Sequence, residues 1–403
     1  MILMQLNSDV LSRVTYLVGS AALIDELPAA PAKEPFADSV VDFLNDVSRE
    51  IMADAQSKAY SDVVTFGFWI RKASVLKLKE RFTGDGFRLG KGVAFHIAPS
   101  NVPVNFAYSL VSGLLTGNAN VVRIPSKDFP QVSILCEAFN RALEKNPEMK
   151  PYVFCVRYGR DKEINDLFSA IADTRIVWGG DNTITELRKS PLPPRSGEIT
   201  FADRYSLAFI DSNVYIAMEN KDRVAEDFYN DTFFSDQNAC TSPRLIVWSG
   251  SRIEESKKIF WEKLHELVEK KYTFQSIQGV NKLTTSYLLA AVEAGVKVLD
   301  HADNLIVRVK VPRLTDFLMD YRDNSGYFYE YDCQNILELA QICNDKHCQT
   351  LSYIGERDIF IPLLQKGIKG IDRIVPMGKT MDFDLIWDGY NLSELLTRVV
   401  DIR

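Results

Sequence analysis

The sequence predicts an α/β fold built as two parallel-sheet domains. Short apolar, strand-like runs alternate with helical segments over most of the chain, the pattern of a parallel sheet with helices on both faces. At 403 residues the chain exceeds what a single core usually organises. Its 46% hydrophobic and 25% charged residues are those of a soluble globular protein with ample core.

The first elements are covering helices. Phe36, Val40, Val41, Phe43, Leu44, Val47 and Ile51 recur near helical spacing, and a second helical block spans 63–82. Thr83-Gly84-Asp85-Gly86 reads as a turn. Residues 93–97 form a buried strand that ends in the tight segment Ala98-Pro99-Ser100-Asn101-Val102-Pro103. A helix over 104–115 closes at Thr116-Gly117-Asn118. The strand 120–124, Pro125-Ser126-Lys127, a helix over 129–143, the strand 152–156, the helix 162–172 and the strand 175–178 follow. Trp178-Gly179-Gly180 then turns the chain, and Thr183 stands three residues before Glu186, a capping-box signal for a helix start. A glycine turn feeding a helix at the carboxyl edge of a parallel sheet is where dinucleotide phosphates bind, although an ordinary αβ turn has the same sequence.

Past an irregular crossing at 190–194, the runs 205–210 and 214–218 read as strands, and a helix over 224–234 delivers the chain to 235–244. A second alternation extends to about residue 381, with helix 253–271, strand 305–310, helix 335–345 and strand 350–354. The expected division is a first domain over 1–212 with its N-terminal helical segment, a second over 213–380, and a tail 381–403 packing back on the first. Residues 391–403 read as a helix.

The stretch 235–244, S-D-Q-N-A-C-T-S-P-R, places Cys240 at a turn before an apolar run. A thiol so placed can be met by backbone N–H groups and a substrate together. Such donors lower its pKa toward the reactive thiolate. The bland alternative is a small buried thiol packing like alanine. Cys136, Cys155, Cys333, Cys343 and Cys348 add no disulfide-framework density, so reduced thiols and a cytoplasmic location are expected. Cys343, His347 and Cys348 lack ligand spacing, and no metal is expected. A net charge of −7 without a dense Lys/Arg block argues against nucleic acid. No window of eighteen apolar residues implies a membrane span, and the first residues lack the basic start of a signal peptide.

Five segments together resemble the aldehyde dehydrogenase superfamily, and within it the acyl-CoA/fatty-acyl reductases of the LuxC family. I-A-P-S-N-V-P (97–103) is similar to I-S-P-W-N-F-P and puts Asn101 where the superfamily keeps its oxyanion-binding asparagine. G-N-A-N-V-V-R-I-P-S (117–126) is similar to G-N-T-V-V-L-K-P-S, the strand that ends at the adenosine ribose. V-W-G-G (177–180) stands for F-T-G-S at the nicotinamide/phosphate turn, D-Q-N-A-C (236–240) matches the nucleophile motif, and L-I-W-D-G-Y (385–390) looks like the reductases' own signature. The resemblance implies a Rossmann-type cofactor domain plus a catalytic domain. Cys240 and Asn101 become catalytic, and Arg123, Pro125, Ser126, Lys127, Trp178, Gly179 and Gly180 cofactor-binding.

Two departures shape the expected chemistry. Where hydrolytic relatives place a water-activating glutamate, this chain has Thr200, with Glu198 two residues off register. An acyl-enzyme then survives to meet CoA or hydride. Where NAD-preferring relatives carry a glutamate for the ribose hydroxyls, this chain has Lys127 beside Arg123, which favours NADPH over NADH. The expected activity is NADPH-dependent reduction of an acyl-CoA or acyl-carrier thioester to the aldehyde. A CoA-acylating aldehyde dehydrogenase, an acyl-phosphate reductase and a non-catalytic subunit of the same fold are the alternatives. An acyl-protein synthetase is a candidate partner, and the oligomeric state is open.

Overall fold

The computed structural model describes residues 8–82, 86–299 and 303–403, so the turn read at Thr83, Gly84 and Asp85 lies outside the described residues. The chain forms two compact units, Met1–Ala202 with Tyr390–Arg403, and Asp203–Gly389.

The first unit is organised by β1 (Thr15–Val18), β2 (Phe87–Gly90), β3 (Val93–Ile97), β4 (Ala119–Arg123), β5 (Val153–Arg157), β6 (Thr174–Trp178) and β7 (Gly197–Phe201). Six of them form one sheet in the order β1-β5-β4-β3-β6-β7. β3 to β7 run parallel, and β1 pairs antiparallel at the edge. Every residue of β3 and β6 is buried, as strands covered by helices on both faces require. The crossover helices are Asn105–Leu115, Pro130–Lys145 and Lys162–Ile171. Asp161 caps the last by accepting from the N–H groups of Glu163 and Ile164. From the central β3 the chain steps outward to β4 and β5, then returns to β6 and β7 on the other side. The topological switch point therefore lies between β3 and β6, and the loops that border it follow Ile97 and Trp178.

The tail differs from the sequence reading. After a short helix at Leu392–Leu395, Thr397–Val400 is a strand paired antiparallel with β2, Thr397 opposite Gly90 and Val400 opposite Phe87. The β-branched Thr397, Val399 and Val400 suit an extended chain, and a partner remote in sequence decides the matter. Asn118 fastens the tail by donating from Nδ2 to the Leu396 carbonyl at 2.9 Å.

The second unit holds β8 (Tyr205–Asp211), β9 (Pro243–Ser249), β10 (Lys297–Val298), β11 (Val307–Lys310), β12 (Tyr327–Asp332), β13 (Cys348–Ile354) and β14 (Arg373–Pro376). Their order is β10-β11-β12-β9-β8-β13-β14, parallel except at the β10 edge. Because β8 pairs with β9 and β13, the unit begins at Asp203, ahead of the boundary expected near residues 211–213. It also keeps residues 381–389, so only the last fourteen residues belong with the first unit. The run at 214–218, read as a strand, is the helix Ser212–Ala217, whose start Asp211 caps by accepting from Asn213 and Val214. Strands β7 and β12 and the helix Ser276–Val292 are additions to the sequence reading. Among the described residues, no helix is long and apolar enough to cross a membrane.

Candidate functional site

In the first unit the register sets the candidate residues along one edge. Ile97 lies opposite Arg123 on β4 and Val177 on β6. The loop carrying Asn101 thus leaves the sheet between the segment 124–127 and the turn at Gly179-Gly180. Asn101 is exposed, as are Ser126 and Lys127, while Pro125 is half-buried. The Lys127 ammonium rests 4.8 Å from the Phe129 ring centroid. Arg123 is more committed. Its Nη2 donates to the Gly159 carbonyl at 2.9 Å, and its guanidinium lies 4.7 Å from the Tyr158 ring centroid.

Trp178 belongs to the core rather than to the edge. Its ring stacks on Phe201 at 3.6 Å, and its Nε1–H donates to Ser109 Oγ at 2.9 Å. The same hydroxyl meets Nδ1 of the fully buried His96 at 2.7 Å, and Nε2 of that ring meets Asn120 Oδ1 at 3.0 Å. Burial holds the His96 pKa down at about 4, so the imidazole is neutral. What this turn presents is backbone. A Cβ on Gly179 would stand 3.2 Å from Thr183, whereas one on Gly180 would meet nothing within 4 Å. The capping box expected from Thr183 and Glu186 does not form. The helix already begins at Asp181 with Gly180 as its cap, and Glu186 pairs with Lys189.

Glu198 has a definite post. β7 sets it directly opposite Arg175, whose Nη2 lies 2.6 Å from its carboxylate, and Arg188 Nε reaches the other oxygen at 2.7 Å. With two guanidinium partners, this carboxylate is held as a structural anion. Thr200 lies two residues on, opposite Val177.

In the second unit Cys240 sits just before β9, beside the amino ends of β8 and β13. The helix Lys221–Asp231 and the turn Phe233–Ser235 bring the chain in, and Asp236 (φ 53°) and Gln237 (φ 51°) are both left-handed. Two consecutive non-glycine residues in that region are held only when the surroundings over-determine them. Here they do. The buried Gln237 donates from Nε2 to the carbonyl of Pro243 at 3.1 Å, and its Oε1 accepts from the N–H of Gly326 at 2.7 Å. Arg244 donates to the Gln237 carbonyl at 2.8 Å, and the Tyr272 hydroxyl donates to Asp236. Ser206 donates to the Cys240 carbonyl at 2.8 Å. Cys240 alone of the six cysteines is not fully buried.

The sequence reading expects donors to activate the thiol; Arg204 and the Cys240 backbone N–H do pull its pKa down, but they are outweighed. Burial first, and the nearby Asp388 second, push the thiol up to about 12. Asp388 is the residue of this site to which the sequence assigns no role. It is buried at a turn where Asp388 (φ 50°) and Gly389 (φ 76°) are both left-handed, a Asp-Gly pairing suited to such turns. It accepts from Gln349 Nε2, and burial raises its pKa to about 7 against the lowering pull of Arg204 and Arg373. The Asp-Gly dipeptide signals the turn; the burial that perturbs the acid is not readable locally.

A family model described as acyl-CoA reductase (LuxC) matches residues 74–285, more than half the chain and every candidate residue named above except Asp388. The chain belongs to the LuxC family. Similar LuxC relatives are the long-chain acyl-protein thioester reductases of Vibrio harveyi, 23% identical over 301 residues, and of Photorhabdus laumondii, 23% identical over 295 residues. Each alignment covers 72% of this chain, and 59% and 58% of the respective relative, so the chain spans less than two thirds of their length. Among solved structures, a benzaldehyde dehydrogenase from Corynebacterium glutamicum has a TM-score of 0.63 at 16% identity, covering 96% of this chain and 94% of its own. Aldehyde dehydrogenase 21 from Physcomitrella patens has a TM-score of 0.67 at 12% identity, covering 95% and 89%. The LuxC chain therefore has the aldehyde-dehydrogenase-like α/β fold.

Proposed function

We propose that this chain reduces an acyl thioester to the aldehyde, with Cys240 as the acyl carrier and NADPH as the reductant. The observation that carries this reading is Cys240 itself, the one cysteine left partly accessible, on a loop whose two left-handed residues are braced by buried side chains. The names of the V. harveyi and P. laumondii relatives support a thioester as substrate.

The thiol is protonated in the free protein, so its acylation is an exchange. The Cys240 sulfur bonds to the acyl carbon, the donor's carbon–sulfur bond breaks, and the thiol proton goes to the departing sulfur. Asn101 is assigned to donate its amide to the oxyanion, a contact whose loss typically costs about 10²–10³ in rate. With Glu198 held by Arg175 and Arg188, and Thr200 in place of an acid, no carboxylate on this strand is assigned to activate water against the acyl-enzyme. The edge of the first sheet fits a nicotinamide dinucleotide. Gly180 offers open backbone at the switch point, and Ser126 and the exposed Lys127 stand at the end of β4, where a 2′-phosphate favours a cation. Held by Arg123–Lys127 and by the backbone of Trp178–Gly180, NADPH would supply the hydride that takes the acyl group to the aldehyde oxidation level. The carbon–sulfur bond to Cys240 then breaks, the aldehyde leaves, and the sulfur takes a proton from solvent to return to the thiol.

Incubation with an acyl-CoA and no nicotinamide is expected to leave an acyl adduct on Cys240 in a mass-spectrometric peptide map, and added NADPH to convert it to aldehyde. Aldehyde formation by Cys240→Ala would overturn the assignment. An acyl phosphate run in parallel separates the choice of donor from the chemistry.

A further inference from the structure

Hydrogen bonds within the second unit tie Asp388 to the Cys240 loop. Ser206 Oγ donates to the Cys240 carbonyl at 2.8 Å and accepts from the Thr350 N–H at 3.2 Å. Gln349, the residue before Thr350, donates from Nε2 to Asp388 Oδ1. Thr241, the residue after the cysteine, donates from Oγ1 to Met381 Sδ at 3.2 Å, which draws the segment leading to Asp388 against the same loop. Gln349 is fully buried, yet its Oε1 has no hydrogen-bond partner. A side-chain amide turned by 180° exchanges donor for acceptor. Gln349 can therefore hold Asp388 in either state, with Nε2–H donating to the carboxylate or Oε1 accepting from the carboxyl.

Two guanidinium groups flank the pair. Arg204 and Arg373 both lie within electrostatic reach of Asp388 and of Cys240. Arg204 is fixed by Asp372 and by the Cys348 carbonyl at 3.0 Å, and Arg373 by the carbonyls of Thr380 at 3.0 Å and Asp382 at 3.2 Å. A negative charge that passes from the Asp388 carboxylate to the Cys240 sulfur stays in the field of the same two cations. Asp203 also acts on the thiol, but it is committed to Arg322 and is 59% exposed.

We infer that Asp388 is the proton carrier of the acylation step, taking the Cys240 thiol proton as the sulfur attacks and passing it to the departing sulfur of the acyl donor. This rests on the reading of Cys240 as the acyl carrier. The Cys240 S–H bond breaks as its sulfur–carbon bond forms, and the Asp388 carboxylate gains the proton. That proton leaves with the donor sulfur as the donor's carbon–sulfur bond breaks, so Asp388 ends as it began and nothing is oxidised or reduced. With Cys240 almost wholly protonated near neutrality, attack needs an acceptor at hand. Burial and Asp372 raise Asp388 to about 7 against Arg204 and Arg373, where a carboxyl can both take and give a proton.

Quenched-flow acylation by excess acyl-CoA without nicotinamide, read by intact mass, tests the assignment beside alkylation by iodoacetamide. Departing iodide takes no proton, whereas departing sulfur does. Asp388→Asn is therefore expected to slow acylation about 10²-fold or more while alkylation quickens, a split that a merely structural role would not produce. Acylation that is unchanged, or that moves in the same direction as alkylation, refutes the proton route alone. Should the variant not fold, the pH profile of the unmodified chain decides. Its acylation rate should rise as Asp388 ionises and level off above about pH 7, while alkylation still climbs at pH 10. Acylation that climbs in parallel with alkylation refutes the route. An unmodified chain that forms no adduct on Cys240 refutes the acyl-carrier reading itself.

Discussion

The state of the Cys240 thiol leads to a quantitative expectation. A thiol with an ordinary pKa of about 8.5 is roughly one quarter ionised at pH 8, whereas one near 12 is ionised to about 1 part in 10⁴, a deficit of a little over 10³. Basicity returns part of that. With a Brønsted slope of about 0.4–0.5, the extra 3.5 pK units make each thiolate about 25–55 times more nucleophilic, leaving a net deficit of about 50–100-fold. Alkylation of Cys240 by iodoacetamide at pH 8, followed by peptide mass mapping, should therefore run about 50–100 times slower than with a free cysteine peptide. Its rate should still be rising at pH 10. Asp388→Asn removes the second contribution to the shift, so alkylation should quicken and the pH profile move to lower pH. Reaction at or above the free-thiol rate near neutrality, or a plateau below pH 9, would refute the reasoning. Acylation by a thioester is read separately, because there the departing sulfur takes the proton.

Three further outcomes are expected. Lys127→Glu places an anion where a 2′-phosphate is proposed to bind, so the ratio of kcat/KM for NADPH to that for NADH should fall at least tenfold; an unchanged ratio removes Lys127 from the cofactor site. Glu198→Gln leaves the buried Arg175 without its anion and should cost about 3 kcal/mol in urea denaturation, while the product remains aldehyde with no gain or loss of carboxylate. Burial raises the Asp231 pKa to about 7, against the N–H groups of Gly378 and Thr380 that donate to it. The folded chain thus keeps a proton there that the unfolded chain loses near pH 4. Its contribution to stability should fall as pH rises from about 4 to 7, and Asp231→Asn should flatten that part of the curve of unfolding free energy against pH.

The four inner strands of the first sheet, β3 to β6, were legible because helices cover both their faces. Val93–Ile97 is apolar at every position but His96, and the structure returns it with the same bounds. The misreadings came where local composition and long-range pairing disagree. Residues 214–218 have strand-like side chains, but Asp211 caps them into a helix. Thr397–Val400 is extended because β2 pairs with it. The helix Ser276–Val292 escaped notice because its outward face is as apolar as its inward one, which removes the contrast that marks an amphipathic helix. At the candidate site, residue types and order were readable, but not their commitments. Trp178 donates into the core to Ser109, and Glu198 pairs with Arg175, through contacts made only once β7 lies beside β6.

Taken alone, the order of residues determined the α/β class, the family, the cysteine at the centre of the proposed chemistry, and the absence of a glutamate at residue 200. Those depend on composition, spacing and identity, which survive without coordinates. Only tertiary structure decided that the Cys240 thiol is protonated, that Asp388 stands near it, that Glu198 is a structural anion, and that an uncharged helix face points outward. Each of these depends on burial and on partners distant in sequence, and a pKa is set by the dielectric and charges that folding assembles around a group.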